Sequence, residues 1–434
     1  MTEFRQVLRH AGWNLGGNAL PLAAAAIAMP VIVDRMGVER FGLLSLTWVL
    51  IGYFSLFDLG LGRALTKLIA ERRDSPRAGE IDSLTSTGLV LMALLGVAGG
   101  LLIAAAVPFA SGWLDRLEPA LRGEAQRSMW LVAVSIPLVV IGAALRSVLE
   151  GMQAFRTLNL IRGPAGALLY AVPAIGALWT PRLDVAVLSL LVTRLVVTLV
   201  QLPACLARVR LAPRLVDYAW SGALLRFGGW LTVSNIVGPV IVYVDRFVLG
   251  ALLSVAAMGY YSAPFEIVTR LLWIPAALAG AMFPALARLS AVDDAAARAL
   301  RGQATRLVLM VCVPLCVLSA LCARPALGAW LGPEFAENST AALLWLLPGF
   351  ALNSLAQIPV VALQGQGRTR AVALLHLCEL PLYFAILWFM TRSFGIAGAA
   401  CAWSLRAGVD YLALSLMLQR SAPPPSPVTI ARDA

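Results

Sequence analysis

Runs of about twenty apolar residues recur along almost the entire chain, each long enough to cross the roughly 30 Å hydrocarbon core of a bilayer as a helix. They lie near 13–33, 41–62, 83–108, 128–149, 163–179, 185–206, 227–249, 257–284, 307–330, 341–363, 371–391 and 396–418. Twelve such windows in 434 residues leave short connections and no room for a large soluble domain. The expected fold class is therefore an all-α polytopic membrane protein with 12 transmembrane helices. Composition agrees: 60% of the residues are hydrophobic and 13% charged, against about 25% charged in an ordinary soluble domain. In water such a chain would display large apolar patches, whereas lipid solvates them. The first run follows Arg5 and Arg9 as a signal-peptide core would, but it continues to Val33 and carries Asn14 and Asn18, so it reads as the first span.

The formal net charge is +11, from 34 basic and 23 acidic residues, and every basic residue except Lys67 is arginine. In a soluble protein that balance would suggest nucleic acid, but here position carries the information. The amino terminus, the connections near 63–82, 146–162, 206–226, 285–306 and 364–370, and the tail hold 22 of the 34. The alternate set holds 9, and the remaining three lie inside spans. Positively charged connections stay cytoplasmic, so both termini are expected there, with the surplus charge facing anionic membrane lipids. No nucleic-acid partner is predicted. The six cysteines lie in or beside apolar runs without paired loop spacing and read as small buried hydrophobes.

An internal repeat appears at an offset of 217. Arg9, Gly12, Trp13, Asn18, Gly42, Ser45, Ala64 and Ala70 match Arg226, Gly229, Trp230, Asn235, Gly259, Ser262, Ala281 and Ala287 without gaps. Each half then holds six spans, and an even number makes the repeats parallel. The expected organisation is a six-helix bundle over 1–206, a cytoplasmic linker over 207–226, a second six-helix bundle over 227–419, and a disordered cytoplasmic tail over 420–434. Two bundles facing a central cavity would suit alternating access.

Signals of a soluble enzyme are missing: there is no zinc-ligand spacing, no phosphate loop with lysine and no nucleophile elbow. The turn Gly365-Gln366-Gly367-Arg368 is too short for a nucleotide fingerprint. A membrane-embedded glycan polymerase or ligase would need a sizeable external loop for its site, which these connections do not provide. No catalytic residues, cofactor or metal centre are expected.

Ionisable residues within spans cost about 2.5–3.5 kcal/mol even on a lenient insertion scale, so those present carry information. Arg194, Arg270 and Arg406 fall near the midplane of three different spans. Arginine stays protonated and presents a planar fork suited to phosphate or pyrophosphate, which makes these three the candidate substrate-binding residues of a cationic cavity. Local neutralisation is the competing reading for two of them, because Glu266 precedes Arg270 by four residues and Arg406 precedes Asp410 by four. Arg194 has no acidic residue in its span. Glu266, His376, Glu379 and Asp410 are the candidates for coupling to a proton or sodium ion. His376 and Glu379 share a helix face, which suits a relay or a plain hydrogen-bonded pair. Asp58, beside Gly62, reads as structural. A cavity built for cationic drugs should be acidic, and a midplane dominated by arginine argues against an ion-coupled drug or metabolite exporter.

Several stretches together resemble one family. Leu225-Arg226-Phe227-Gly228, Asp245-Arg246-Phe247-Val248-Leu249-Gly250, Gly259-Tyr260-Tyr261-Ser262, Ile274-Pro275 and Phe283-Pro284-Ala285-Leu286 are similar to the second-half signature of polysaccharide exporters. Gly42, Asp58-Leu59-Gly60-Leu61, Leu149-Glu150-Gly151-Met152-Gln153-Ala154-Phe155 with Asn159, and Gly395-Ile396-Ala397-Gly398-Ala399-Ala400 extend the resemblance over nearly the whole chain. These are the oligosaccharide flippases, including those for lipopolysaccharide O-antigen, of the multidrug/oligosaccharidyl-lipid/polysaccharide exporter superfamily. The resemblance implies a V-shaped pair of six-helix bundles in a bacterial inner membrane. It further implies a lipid-linked oligosaccharide substrate, typically on undecaprenyl pyrophosphate, and other polysaccharide assembly proteins as partners. The quoted motifs look like turn and packing elements, so the resemblance transfers fold and substrate class rather than a site.

Overall fold

The computed structural model describes residues 20–56, 60–73, 75–115, 117–272, 275–276, 294–366 and 368–420. Asn14, Asn18, Asp58, the Phe283-Pro284-Ala285-Leu286 motif and the tail from Ser421 lie outside that set. The described chain is largely helical, and the apolar windows fall on helix where they are described, apart from turn positions at Gly60 and Leu272. The long helices among the described residues are α1 (20–36), α2 (Val38–Leu56), α3 (Leu61–Arg73), α4 (Ile81–Ala106), α5 (Pro119–Gly151), α6 (Phe155–Trp179), α7 (Leu183–Leu206), α8 (Ala219–Leu252), α9 (Val255–Leu271), α10 (Asp294–Leu331), α11 (Pro333–Gly365) and α12 (Thr369–Gln419). Because α12 is broken at Gly395, it supplies two spans, 369–394 and 396–419. The protein is thus an all-helical, multi-pass membrane protein. Its spanning helices expose leucine and valine at mid-length, among them Leu94, Leu101, Leu102 and Val134, as lipid-facing surfaces do.

Local chemistry sets the breaks. Gly395 has φ 61° and ψ −139°, a conformation that essentially only glycine adopts without strain, and it turns the chain between two spans with no loop. Gly332 does similar work at φ 97°, followed by Pro333 at the first position of α11. Pro164 and Pro173 leave α6 a continuous helix of 25 residues. The connection read as a loop near 63–82 is instead largely the helix α3, which buries Leu61, Leu65 and Ile69 on one face and carries Arg72 and Arg73 at its end. Two of the six cysteines depart from expectation: Cys322 and Cys378 are exposed on helix surfaces, where an apolar environment accepts a thiol as readily as a core does.

The chain forms two compact units, residues 19–243 and 244–434, each packed on its own terms. In the first, α5 is the hub, packed against α2, α3, α4 and α7. Gly96 and Gly100 of α4 bring it close to the α5 backbone: a Cβ on Gly96 would stand 2.9 Å from Pro137 Cα, and one on Gly100 would stand 2.7 Å from the Ala133 carbonyl oxygen. Small residues four apart let two backbones meet, which lipid-embedded helices use in place of a hydrophobic driving force. One end of this unit is tied by charge. Arg40 of α2 donates twice to Glu124 of α5, at 2.8 Å each, and Glu124 also accepts the Leu183 N–H of α7 at 2.8 Å. Asp184 accepts from Arg127 at 2.6 Å and from Arg182 at 2.7 Å.

In the second unit α11 packs against α9, α10 and α12. Gly349 of α11 admits Trp403, one of the largest fully buried side chains, whose Cε3 would lie 2.5 Å from an added Cβ. The repeat is visible in element boundaries: α2 begins at Val38 and α9 at Val255, 217 residues later. Ser45 and Ser262, a matched pair, are both buried, and each donates to a carbonyl of its preceding turn at 2.7 Å.

Candidate functional site

The unit 19–243 encloses a cavity of about 240 Å³ walled by α2, α5, α6 and α7. Arg146, Arg162 and Arg194 line it, with Thr193, Thr198 and Gln201. No aspartate or glutamate stands among the described residues of its lining. At about 1.5 Å rise per residue, Arg146 lies roughly 8 Å from the α5 end at Gly151, and Arg194 roughly 18 Å from the α7 end at Leu206. The guanidinium groups therefore step inward from the arginine-rich end toward mid-helix. Arg194 Nε is buried with no hydrogen-bond partner among the described residues. Three guanidinium groups around one void, with no aspartate or glutamate among the described residues of its lining, form a site whose complement is an anion.

The unit 244–434 uses its charges differently. Arg246, fully buried, donates to Glu266 at 3.0 Å and to Ser262 at 3.3 Å, and its guanidinium stacks 4.8 Å from the Phe265 ring. Glu266 also accepts from Arg270 at 2.7 Å, so each of its oxygens holds a guanidinium. Beside them Tyr261 donates to buried Asp245 at 2.5 Å. On α12, His376 Nε2 stands 3.3 Å from Asp410 Oδ1, and Arg406 Nη1 lies 3.9 Å from Glu379. His376, Glu379 and Asp410 bring three potential ligand atoms within 4.8 Å of one another. Arg406 also faces the Tyr383 ring at 5.8 Å.

The residues singled out in the sequence separate accordingly. Arg194 lines the cationic cavity; Arg270 is paired with Glu266 as its spacing suggests. Arg406 does not pair with Asp410 along its own helix. Its nearest carboxylate is Glu379, from the other limb of α12, while Asp410 turns to His376. His376 and Glu379 meet through Asp410 rather than as a pair of their own. Sequence reasoning missed Arg146 and Arg162, which it counted as loop charges; α5 and α6 continue past the apolar windows and carry both into the cavity wall. It also missed Arg246, whose signal was its place in the Asp245-Arg246 motif beside the repeated Ser262.

The chain matches the model of the polysaccharide biosynthesis protein family over residues 7–290. A Shigella flexneri protein that carries the name of an O-antigen transporter is 30% identical over 416 residues, covering 95% of this chain and 98% of the relative. The membrane protein EpsK of Bacillus subtilis, uncharacterised by its own description, is 24% identical over 411 residues, covering 90% of this chain and 79% of that one. Among solved structures, the inward-facing form of a multidrug resistance MATE family transporter of the MOP superfamily superposes with a TM-score of 0.80 at 15% identity, over 93% of this chain and 96% of the other. A MOP superfamily transporter from Pyrococcus furiosus, described as having a binding pocket of reverse polarity, superposes with a TM-score of 0.64 at 14% identity, covering 96% of this chain and 95% of the other. At these identities the structural matches establish the fold alone: the two-bundle, twelve-span fold of that superfamily.

Proposed function

The chain belongs to the polysaccharide biosynthesis protein family, and from that premise we propose that it is a transporter, not an enzyme, that flips a lipid-linked oligosaccharide across the bacterial inner membrane for surface polysaccharide assembly. The cargo is an oligosaccharide on a polyprenyl pyrophosphate such as undecaprenyl pyrophosphate, carried by alternating access, with both termini in the cytoplasm. The observation that carries this reading is the cavity lined by Arg146, Arg162 and Arg194, with no aspartate or glutamate among the described residues of its lining. A pyrophosphate diester brings two negative charges and several acceptor oxygens, which match guanidinium forks. Arg194 keeps the substrate-binding role read from the sequence, and Arg146 and Arg162 join it. Arg270 and Arg406 stand beside carboxylates and act on the cargo at most through that network.

The cluster of His376, Glu379 and Asp410 is assigned to coupling by a proton or sodium ion. Glu266, with both oxygens bound to guanidinium groups, serves the framework of the same unit. In proteoliposomes, Asp410→Asn should abolish the dependence of transport on an imposed ion gradient, and retained dependence would remove the cluster from the mechanism. The function itself is tested in a deletion strain. Lipid-linked oligosaccharide should accumulate on the cytoplasmic leaflet, and complementation by the wild-type gene but not by Arg146→Ala/Arg194→Ala should clear it. Accumulation on the periplasmic leaflet, or drug hypersensitivity with intact glycan export, would refute the proposal. The latter would favour a drug-exporter activity like that named for the multidrug-resistance fold relatives.

A further inference from the structure

The second unit carries a cluster that pairing does not explain. His376 and Glu379 stand about one turn apart on the first limb of α12, and Asp410 reaches them from the second limb. One potential ligand atom from each lies within 4.8 Å of the other two. Glu379 is 5% exposed, and neither of its oxygens has a hydrogen-bond partner among the described residues. Arg406 Nη1, at 3.9 Å, is too distant to supply one. Asp410 is equally buried, and its Oδ1 also lacks a partner, since His376 Nε2 faces it at 3.3 Å without hydrogen-bond geometry. Two carboxylates that give up water and receive no donor are costly within a bilayer. The Glu379 oxygen left open in this way is one of the three converging atoms.

The cluster sits where the first half keeps a cavity. Counted from the helix starts, His376 and Glu379 are the eighth and eleventh residues of α12, as Arg162 and Ala165 are of α6. Asp410 is the fifteenth residue of the last span, as Val197 is of α7. Arg162, Ala165 and Val197 all line the cavity of the first unit. The same three positions border a void in one half and bring two carboxylates and an imidazole together in the other. No zinc-ligand spacing is visible in the sequence because Asp410 comes from the other limb, 31 residues beyond Glu379.

Size and donor chemistry select the occupant. The unpartnered carboxylate oxygens are closed to water, whereas the His376 side chain is 31% exposed and leaves one approach. An occupant meets those oxygens stripped of its hydration, which excludes organic cations and disfavours Mg²⁺, an ion that dehydrates reluctantly. Imidazole suits zinc and the late first-row metals, while Na⁺, Mg²⁺ and Ca²⁺ favour oxygen alone. Zinc bonds of about 2.0–2.1 Å at tetrahedral angles set ligand atoms about 3.3 Å apart, and His376 Nε2 and Asp410 Oδ1 already stand at 3.3 Å. We propose that His376, Glu379 and Asp410 form a binding site for a divalent metal ion of the zinc class, with solvent on the His376 side completing the coordination. The two carboxylates balance its charge, and Arg406 opposes it. Bound metal pins the two limbs of α12 across Gly395 and occupies the carboxylates assigned above to ion coupling, so zinc should arrest gradient-driven transport. Only that last consequence rests on the transport reading.

The test is calorimetric titration of the full-length protein in nanodiscs, without a polyhistidine tag and after chelator treatment, with zinc chloride and separately with magnesium chloride. The wild type should bind one zinc ion per chain and no magnesium at comparable concentration. Loss of a direct ligand in His376→Gln or Asp410→Asn should weaken zinc binding by more than the about 10- to 100-fold typical of residues that merely orient a ligand. Arg406→Gln removes the opposing cation and should tighten zinc binding by about tenfold or more, a gain that a damaged fold cannot produce. The site is overturned if zinc fails to bind the wild type, if magnesium binds as well, if both ligand variants bind zinc unchanged, or if Arg406→Gln weakens it. Zinc that binds as expected yet leaves transport in proteoliposomes at its full rate upholds the metal site and removes the coupling assignment instead, so the two failures are distinguishable.

Discussion

Replacing Arg194 with alanine should move stability and function in opposite directions. The guanidinium sits midway along α7, and among the described residues its buried Nε has no hydrogen-bond partner and no carboxylate lines the surrounding cavity. Holding such a charge costs several kcal/mol for a fully enclosed ion, reduced to about 1–2 kcal/mol here because the residue retains partial exposure. Alanine removes that cost, so Arg194→Ala should be more stable than wild type by about 1–2 kcal/mol. The same change deletes a charge-assisted contact to the diphosphate worth about 1.5–3 kcal/mol, lowering affinity about 10- to 150-fold. Arg270→Ala is the counterpart. That guanidinium lies 2.7 Å from Glu266 and is itself buried, and its loss leaves Glu266 with Arg246 alone. It should destabilise the protein by about 2–3 kcal/mol, less than the full cost of orphaning a buried charge because one partner remains. Denaturant unfolding of both variants in one detergent, paired with calorimetric titration of a short-chain polyprenyl diphosphate, reads all four quantities. An Arg194→Ala protein destabilised as much as Arg270→Ala would mean that Arg194 has a structural partner, and the argument from an uncompensated cavity would collapse.

Three further outcomes are expected. Glu124→Ala should destabilise by about 2–4 kcal/mol in the same unfolding assay, because it strands the Leu183 N–H and the half-buried Arg40; Glu124→Gln, which keeps an acceptor, should cost about half as much. Gly100→Leu should separate α4 from α5, since even a Cβ would stand 2.7 Å from the Ala133 carbonyl; a loss of about 3 kcal/mol or more, or failure to accumulate in the membrane, is expected, and wild-type stability would refute the close approach. Gly395→Ala should lose about 1–3 kcal/mol from backbone strain alone, as nothing lies within 4 Å of the added Cβ, and an unchanged melting temperature would contradict the positive φ.

The fold was legible because lipid imposes a simple requirement: a spanning segment must be apolar for about twenty residues, and Leu183–Leu206 or Val38–Leu56 announce themselves by that alone. Contacts along one helix were legible too, since Glu266 and Arg270 are neighbours by geometry whatever surrounds them. Contacts between helices were not. Four residues of spacing predict that Arg406 and Asp410 can meet, but rotamer choice and the neighbouring limb decide that Arg406 turns toward Glu379 and Asp410 toward His376. Arg146 and Arg162 were hidden by the rule that found the topology. They flank apolar windows, where arginine normally marks a membrane edge, and only the extension of α5 to Gly151 and the start of α6 at Phe155 carry them inward.

The break at Gly395 places the last span at 396–419, the same 24 residues in length as α7. Counted from their starts, Arg194 is the twelfth residue of one and Arg406 the eleventh of the other. These two helices end their respective halves and carry their arginines at nearly one depth, a single residue and therefore about 100° apart around the axis. Their surroundings differ: Glu379 stands beside Arg406, whereas no aspartate or glutamate is among the described residues lining the cavity around Arg194. A charge answered by a neighbour is tied to the framework, while one that faces a cavity is free to change with the cargo. Variation among related exporters that handle different glycans should therefore concentrate around the arginine of the first half.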